Sequence, residues 1–377
     1  MTQVSLQPPP GAPAAFYNVS ESFSADYRQA RDRFRALAQD CGGLLEASEH
    51  PEPGPDNGPL FCDTAWFGPR NAERVLVLIS GTHGIEGFCG SGAQVDLLRR
   101  GEPRRLPPGV AVLMIHAINP FGFAWLRRVT HENVDLNRNW IDFSQPLPAN
   151  PGYDALSANI CPPEWSDDTE ADLARAIKVL GAQVGAHEAE RALTCGQYSH
   201  PTGIYYGGTA PTWSRKVQTQ VFSTYLDQAG KVAILDYHTG LGPWGYAEQI
   251  MTQPRDSAAF KRARTWYGAT VTSTHDGSSA SVQIEGDGLS AAGGLLPHAK
   301  VTALALEVGT LPSRQVIRSV MADNWLHIHG DVESPLGKSI KSQIRAAFYG
   351  DRDDWKGMVV GQSMVACRQA VAGLLQT

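Results

Sequence analysis

Four runs of this chain are apolar on both of their alternating faces: "RVLVLIS" at 74–80, "GVAVLMIHAIN" at 109–119, "VAILDYH" at 232–238 and "VTALALEVG" at 301–309. A strand without a polar face has to be covered on both sides, as helices above and below a parallel sheet do. Helical segments stand where that scheme needs them. "FCGSGAQVDLLRR" at 88–100, closed by Gly101, lies between the first two runs, and a further helix is predicted over 212–229, ahead of the third. Strand, polar loop, helix, strand is the α/β order, and the fold expected is a mixed, mainly parallel central sheet flanked by helices.

The rest of the chain fits around this frame. "SESFSADYRQARDRFRALAQDCGG" reads as a capped amphipathic helix with Ser ahead of it and Gly42 behind, followed by strands around "GLLEAS" and "LFCDTAWF". Residues 141–205 are loop-rich, with a helix near "TEADLARAIKVLGAQVGAHEAERAL", and helices close the chain, "SRQVIRSVMADNWLHIH" among them. There is no internal repeat and no dividing linker, so a Pro-rich flexible arm at 1–15 and a single catalytic domain over 16–377 are expected.

Composition removes several functions. The net charge is −6 and no basic run is present, which excludes nucleic acid as a partner. The apolar runs are of strand length, short of the roughly 20 residues of a membrane span, so no membrane partner is expected. "MTQVSLQPPPGAPAAF" has neither the basic nor the apolar region of a signal peptide, which points to the cytoplasm. Cys41, Cys62, Cys89, Cys161, Cys195 and Cys367 form no CxxC pair and read as reduced, mostly buried thiols. Whether the chain forms an oligomer stays open.

Chemistry collects where three of the strong strands end. The first runs into Gly81-Thr82-His83-Gly84-Ile85-Glu86, the third into His238-Thr239-Gly240, the fourth into Glu307-Val308-Gly309. In open α/β sheets ligands sit outside the carboxyl ends of the strands, so residues 83, 86, 238 and 307 converge if these strands are parallel neighbours. Two imidazoles and a carboxylate suit Zn²⁺ with a fourth position left for water. His83, Glu86 and His238 fit the ligand places, and Glu307 fits a general base. A carboxylate inside "ALALEVG" is rarely buried without a partner or a task.

Together with "NPFGFAWLRRVTHENVDLNRNW" at 119–140, these segments make the chain resemble the zinc carboxypeptidases of the carboxypeptidase A type. It is equally similar to their relatives, the succinylglutamate desuccinylases and aspartoacylases. The order HxxE, Arg, Asp-x-Asn-Arg, His, Glu runs over 81–309. The resemblance implies a zinc-carboxypeptidase-like fold, one zinc ion on His83, Glu86 and His238, and Glu307 as general base. It implies that Asn137 and Arg138 hold a substrate's free carboxylate and that Asp135 orients His83. An Arg should stabilise the oxyanion; Arg128 is preferred and Arg127 kept as its alternative. A planar guanidinium beside an amide is apt chemistry for gripping a carboxylate. The reaction expected is hydrolysis of an amide next to a free carboxylate. The substrate is a small peptide, for a carboxypeptidase, or alternatively an N-acyl amino acid. A catalytically silent binding module is the alternative from another class.

Some features depart from that pattern or point elsewhere. The family's mobile tyrosine has no counterpart near 275–300, and the residues before the core are too few for a folded pro-segment. Asp276, Glu285 and Asp287, in a Gly- and Ser-rich stretch, are expected to be solvated. "GLGPWG" at 240–245 matches a dinucleotide fingerprint but leads into a strand, "YAEQIMTQ", where a helix is required. "HIH" at 327–329 is read as helix surface, Cys89 as packing, and Tyr205 or Tyr206 as pocket lining or core.

Overall fold

The computed structural model describes residues 17–376, so the expected arm at 1–15 lies outside the described residues. The strands are β1 (Leu44–Glu49), β2 (Phe61–Phe67), β3 (Arg74–Ile79), β4 (Val110–His116), β5 (Lys231–Thr239), β6 (Ala247–Met251), β7 (Thr272–Ser273) and β8 (Lys300–Val308). They form one sheet in the order β1-β2-β4-β3-β5-β8-β6-β7. The central strands β4, β3, β5 and β8 run parallel to one another, while β1–β2, β2–β4 and β6–β8 are antiparallel pairs. The four apolar runs are those four central strands. The helices are α1 (Tyr27–Asp40), α2 (Gly87–Arg99), α3 (Pro120–Ala124), α4 (Pro151–Ile160), α5 (Thr169–Val184) and α6 (Ala186–Thr194). There follow α7 (Trp213–Tyr225), α8 (Ala258–Tyr267), α9 (Gly288–Leu295), α10 (Ser313–His329), α11 (Pro335–Phe348) and α12 (Asp353–Leu374).

The two-residue period of a strand divides the core. Leu76, Leu78, Leu235, Tyr237, Leu304 and Leu306 face the layer that contains α1, α2 and α12. Val75, Val77, Ile79, Val232, Ile234, Ala303 and Ala305 face α7 and α9. Continuing the alternation along β5 and β8 puts Asp236, His238 and Glu307 on the α7/α9 side, at the carboxyl ends of their strands.

Several boundaries differ from expectation. The first helix begins at Tyr27 under an Asp26 cap, whose carboxylate accepts from Gln29 N–H at 2.8 Å, and Val19–Ser22 form a separate 3₁₀ turn. The single helix expected near 169–193 is two, α5 and α6, because Gly185 takes φ +95° and turns the chain. "GLGPWG" makes a turn into β6 with Gly240, Gly242 and Gly245 all at positive φ. Among the described residues no helix is long and apolar enough to cross a membrane.

Candidate metal centre

Because β3, β5 and β8 are parallel neighbours, their carboxyl ends open on one rim. His238 and Glu307 sit side by side in the β5–β8 register. His83 and Glu86 reach the same rim through a one-turn 3₁₀ helix over Gly84–Glu86. That turn lies flat on the segment that follows α3: Gly84 N–H donates to Arg128 O at 3.0 Å and Ile85 N–H to Arg127 O at 2.8 Å. A Cβ at position 84 would lie 2.1 Å from the carbonyl carbon of Gly122, so only glycine allows the approach.

His83, Glu86 and His238 are all buried, and one ligand atom from each lies within 4.8 Å of the others. Glu86 Oε1 is 2.9 Å from His83 Nδ1, Glu86 Oε2 is 3.0 Å from His238 Nδ1, and the two Nδ1 atoms are 3.2 Å apart. The opposite nitrogen of each ring faces a carboxylate: His83 Nε2 is 3.3 Å from Asp135 Oδ1, and His238 Nε2 is 3.0 Å from Asp236 Oδ2. A proton on Nε2 leaves the Nδ1 lone pair aimed at the centre, the tautomer a metal requires. The donor set therefore fits a zinc ion: two inward imidazole nitrogens, one carboxylate, and outer partners that fix both rings.

Acidic and basic groups are interleaved around this point. Burial would raise Glu86, but His83 and His238 outweigh it and hold its carboxyl below the usual range. Burial likewise opposes ionisation of Asp135, and Arg128 and His83 overcome it. Burial would lower His238, yet Asp236 and Glu86 raise it well above an ordinary imidazole. Glu307 is pushed up to about 8 by burial and by the charge of Glu86. Leu241 N–H donates to its Oε1 at 3.1 Å. Four acids, Glu86, Asp135, Asp236 and Glu307, stand at this rim against Arg128 and Arg138, so carboxylates outnumber arginines where a dication would sit.

Asp236 is a residue that sequence reading missed. The signal was present, since positions 236 and 238 share a strand face, but an Asp inside an apolar run reads as part of the strand. The Thr82 hydroxyl donates to both of its oxygens, at 2.8 and 2.9 Å. Asp236→Asn should keep the fold and weaken zinc affinity about 10–100-fold, read by competition with a chelator. Unchanged affinity would mean that Asp236 does not orient His238.

Adjacent Arg127 and Arg128 point apart, beyond Leu126 at φ +52°. Arg128 Nη1 donates to Glu86 Oε1 and its Nε to Asp135 Oδ2, both at 3.0 Å, and Nη2 lies 2.8 Å from His83 Nε2. Arg127 donates from Nε to Asp323 Oδ2 at 3.3 Å and from Nη2 to Asn133 Oδ1 at 2.9 Å. Lys341 Nζ shares Asp323, at 2.6 Å, and meets His327 Nε2 at 2.6 Å. The expected surface position of "HIH" thus holds for exposed His329 but not for His327, which packs into this ion network.

Asp135 caps the 3₁₀ turn Leu136–Arg138, accepting from Asn137 N–H at 2.9 Å, and its own N–H donates to Tyr206 O at 2.8 Å. Arg138 donates from Nη1 to Asn137 O at 2.9 Å and from Nη2 to Thr194 O at 2.5 Å, while its buried Nε has no partner among the described residues. Its nearest carboxylate is Asp135, at 4.0 Å. Tyr205, at φ +56°, presents its ring 5.5 Å from both the Arg128 and the Arg138 guanidinium. Asp287 is buried and not solvated as expected, because it caps α9 by accepting from Ser290 N–H at 2.8 Å. Asp276 pairs with Arg255, and Glu285 is exposed. A cavity of 690 Å³ is lined by His83, Glu86, Arg128, Asn137, Arg138, Tyr205, His238 and Glu307; Asp135 stands behind it and Arg127 does not reach it.

Several solved structures are similar to the chain at low identity. The chain is similar to the carboxypeptidase A from Helicoverpa armigera at 11% identity, covering 85% of this chain and 73% of that one, with a TM-score of 0.45. An aspartoacylase family protein from Mesorhizobium loti matches at 13% identity over 75% of this chain and 66% of that one, TM-score 0.37. A metallo-carboxypeptidase from Burkholderia cenocepacia matches at 12% identity over 90% and 69%, TM-score 0.39. No curated protein matches the sequence. Over residues 23–362, nearly its whole length, the chain matches one family model, and it belongs to that family, described as protein of unknown function (DUF2817).

Proposed function

We propose that this protein is a zinc-dependent hydrolase of an amide bond next to a free carboxylate. The observation that supports this best is the convergence of His83 Nδ1, His238 Nδ1 and Glu86, each imidazole backed by a carboxylate, with Glu307 beside His238. His83, Glu86 and His238 would hold the ion. When bound, zinc supplies Lewis acidity to the scissile carbonyl and lowers the pKa of water at its open position to about 7. Glu307 accepts a proton from the attacking water and returns it to the leaving amine.

Arg128 is the oxyanion donor in this scheme. His83 Nε2 has two partners that cannot both be satisfied: Asp135 needs a ring N–H, and Arg128 Nη2 needs a ring lone pair. With Nδ1 committed to the cation, Nε2 keeps its proton for Asp135, and the Arg128 guanidinium is left to donate to developing negative charge. Arg127 stays in its ion pair with Asp323. Arg138, whose Nε is unpartnered among the described residues, and Asn137 hold the substrate's carboxylate.

The enclosure of the site favours a compact substrate. Side chains of α5, α6 and α10 wall the cavity, and the ligand residues and Glu307 are each under a tenth exposed. An N-acyl amino acid suits that space better than the end of a long peptide does. Zinc-loaded protein should hydrolyse N-acyl amino acids, stop after chelation and resume on zinc addition. Bound zinc without turnover of N-acyl amino acids or dipeptides would instead favour a binding module.

Zinc uptake should release protons. Without metal, His238 and Glu307 both hold a proton at pH 7, since Asp236 and Glu86 raise the first and burial with Glu86 raises the second to about 8. A dication displaces the proton on His238 Nδ1, leaving the one on Nε2, and draws Glu307 toward its ionised form, so affinity should fall as pH falls. Calorimetry at pH 7 in buffers of different ionisation enthalpy reads this directly; a heat independent of buffer would contradict it.

A further inference from the structure

We propose that the substrate arm beyond the scissile amide is an aliphatic acyl chain, held in an apolar chamber between α5 and α10; this rests on the amide-hydrolase reading above. The cavity that contains the candidate ligands continues between these helices. Leu173 and Ile177 line it from α5, and Val316, Ile317, Val320 and Met321 from α10. Their three- and four-residue spacing gives each helix one apolar stripe toward the space. The chamber adjoins the reacting end: a Cβ on Gly240, two residues past His238, would meet Phe348 at 3.0 Å and Val316 at 3.5 Å. Glu170 of α5 pairs with Arg314 and, at 3.6 Å, with Arg318, both of α10, and so ties the two helices together. Those charges engage one another and so add no unpaired ion of their own to the walls.

The α5 and α10 walls favour an acyl chain over a peptide. Both are helices, whose backbone N–H and C=O groups are already bonded within each helix. A peptide threaded between them would find no partners for its own amides, and each unpaired amide is costly. Grooves that bind extended peptides commonly offer an edge strand. A hydrocarbon chain needs only apolar contact, and 690 Å³ falls within the range of about 300–1,000 Å³ typical of small-molecule sites.

The test compares kcat/KM of zinc-loaded protein on N-acetylglycine, N-octanoylglycine and the dipeptide Leu-Gly. Each buried methylene is worth about fourfold, so the octanoyl substrate should exceed the acetyl one by at least about 100-fold. Ile177→Asp and Ile317→Asp, at half-buried positions, should each cut that ratio at least about tenfold. Zinc content and circular dichroism verify the fold of both, and either variant alone suffices. A wild-type ratio near one, or Leu-Gly preferred to N-octanoylglycine, overturns the acyl chamber and leaves the hydrolase reading standing. If nothing is turned over, the hydrolase reading fails and calorimetric binding decides the chamber. N-octanoylglycine must then bind at least about 100-fold more tightly than N-acetylglycine, and equal affinities overturn the proposal.

Discussion

Glu307→Gln should bind zinc as the wild type does and lose about 10²–10⁴-fold in kcat. The substitution keeps the shape of the side chain and removes its ability to exchange a proton. Zinc retention follows from the geometry: the three converging donor atoms belong to His83, Glu86 and His238, and Glu307 is held apart by the Leu241 N–H at 3.1 Å. The change even relieves the centre, since Glu86 and Glu307 oppose each other's ionisation. KM should move little, because the groups proposed for the substrate carboxylate, Arg138 and Asn137, are untouched. Turnover near wild-type rates would remove Glu307 from the mechanism, and loss of zinc would make it a ligand.

His238→Ala should abolish stoichiometric zinc and, with it, all turnover. Its second expected effect is on the metal-free protein. There His238 lies between two buried carboxylates, with Nδ1 3.0 Å from Glu86 and Nε2 3.0 Å from Asp236. Removing the partner of buried charges costs about 3–5 kcal/mol. Part of that is offset here by Thr82 on Asp236 and by Arg128 and the Thr239 N–H on Glu86. Thermal denaturation in the presence of chelator should therefore give a lower Tm than wild type under the same conditions. Elemental analysis gives the metal content. Wild-type zinc occupancy in this variant would mean that the ion sits elsewhere.

The parallel core was legible because an apolar run of strand length has few other fates, and the rim followed from the polar residues that end three such runs. What the sequence hid depended on distant partners. Arg127 and Arg128 differ because Asp323, 196 residues on, captures the first while Glu86 and Asp135 engage the second. Asp236 was concealed by its place inside a strand, although strand periodicity pairs it with His238. Asp287 has the sequence surroundings of a solvated loop acid, but its position one residue before α9 makes it a helix cap. The α5 and α10 walls are tied by pairs such as Arg318–Glu170, which no local pattern announces.

The central claim is tested most directly by the anomalous difference map of a crystal grown with zinc. One peak per chain is predicted, bounded by His83 Nδ1, His238 Nδ1 and the Glu86 carboxylate, with Asp135 and Asp236 still hydrogen-bonded to the outer nitrogens. A map with no peak there, or with the zinc held by other side chains, would contradict the account.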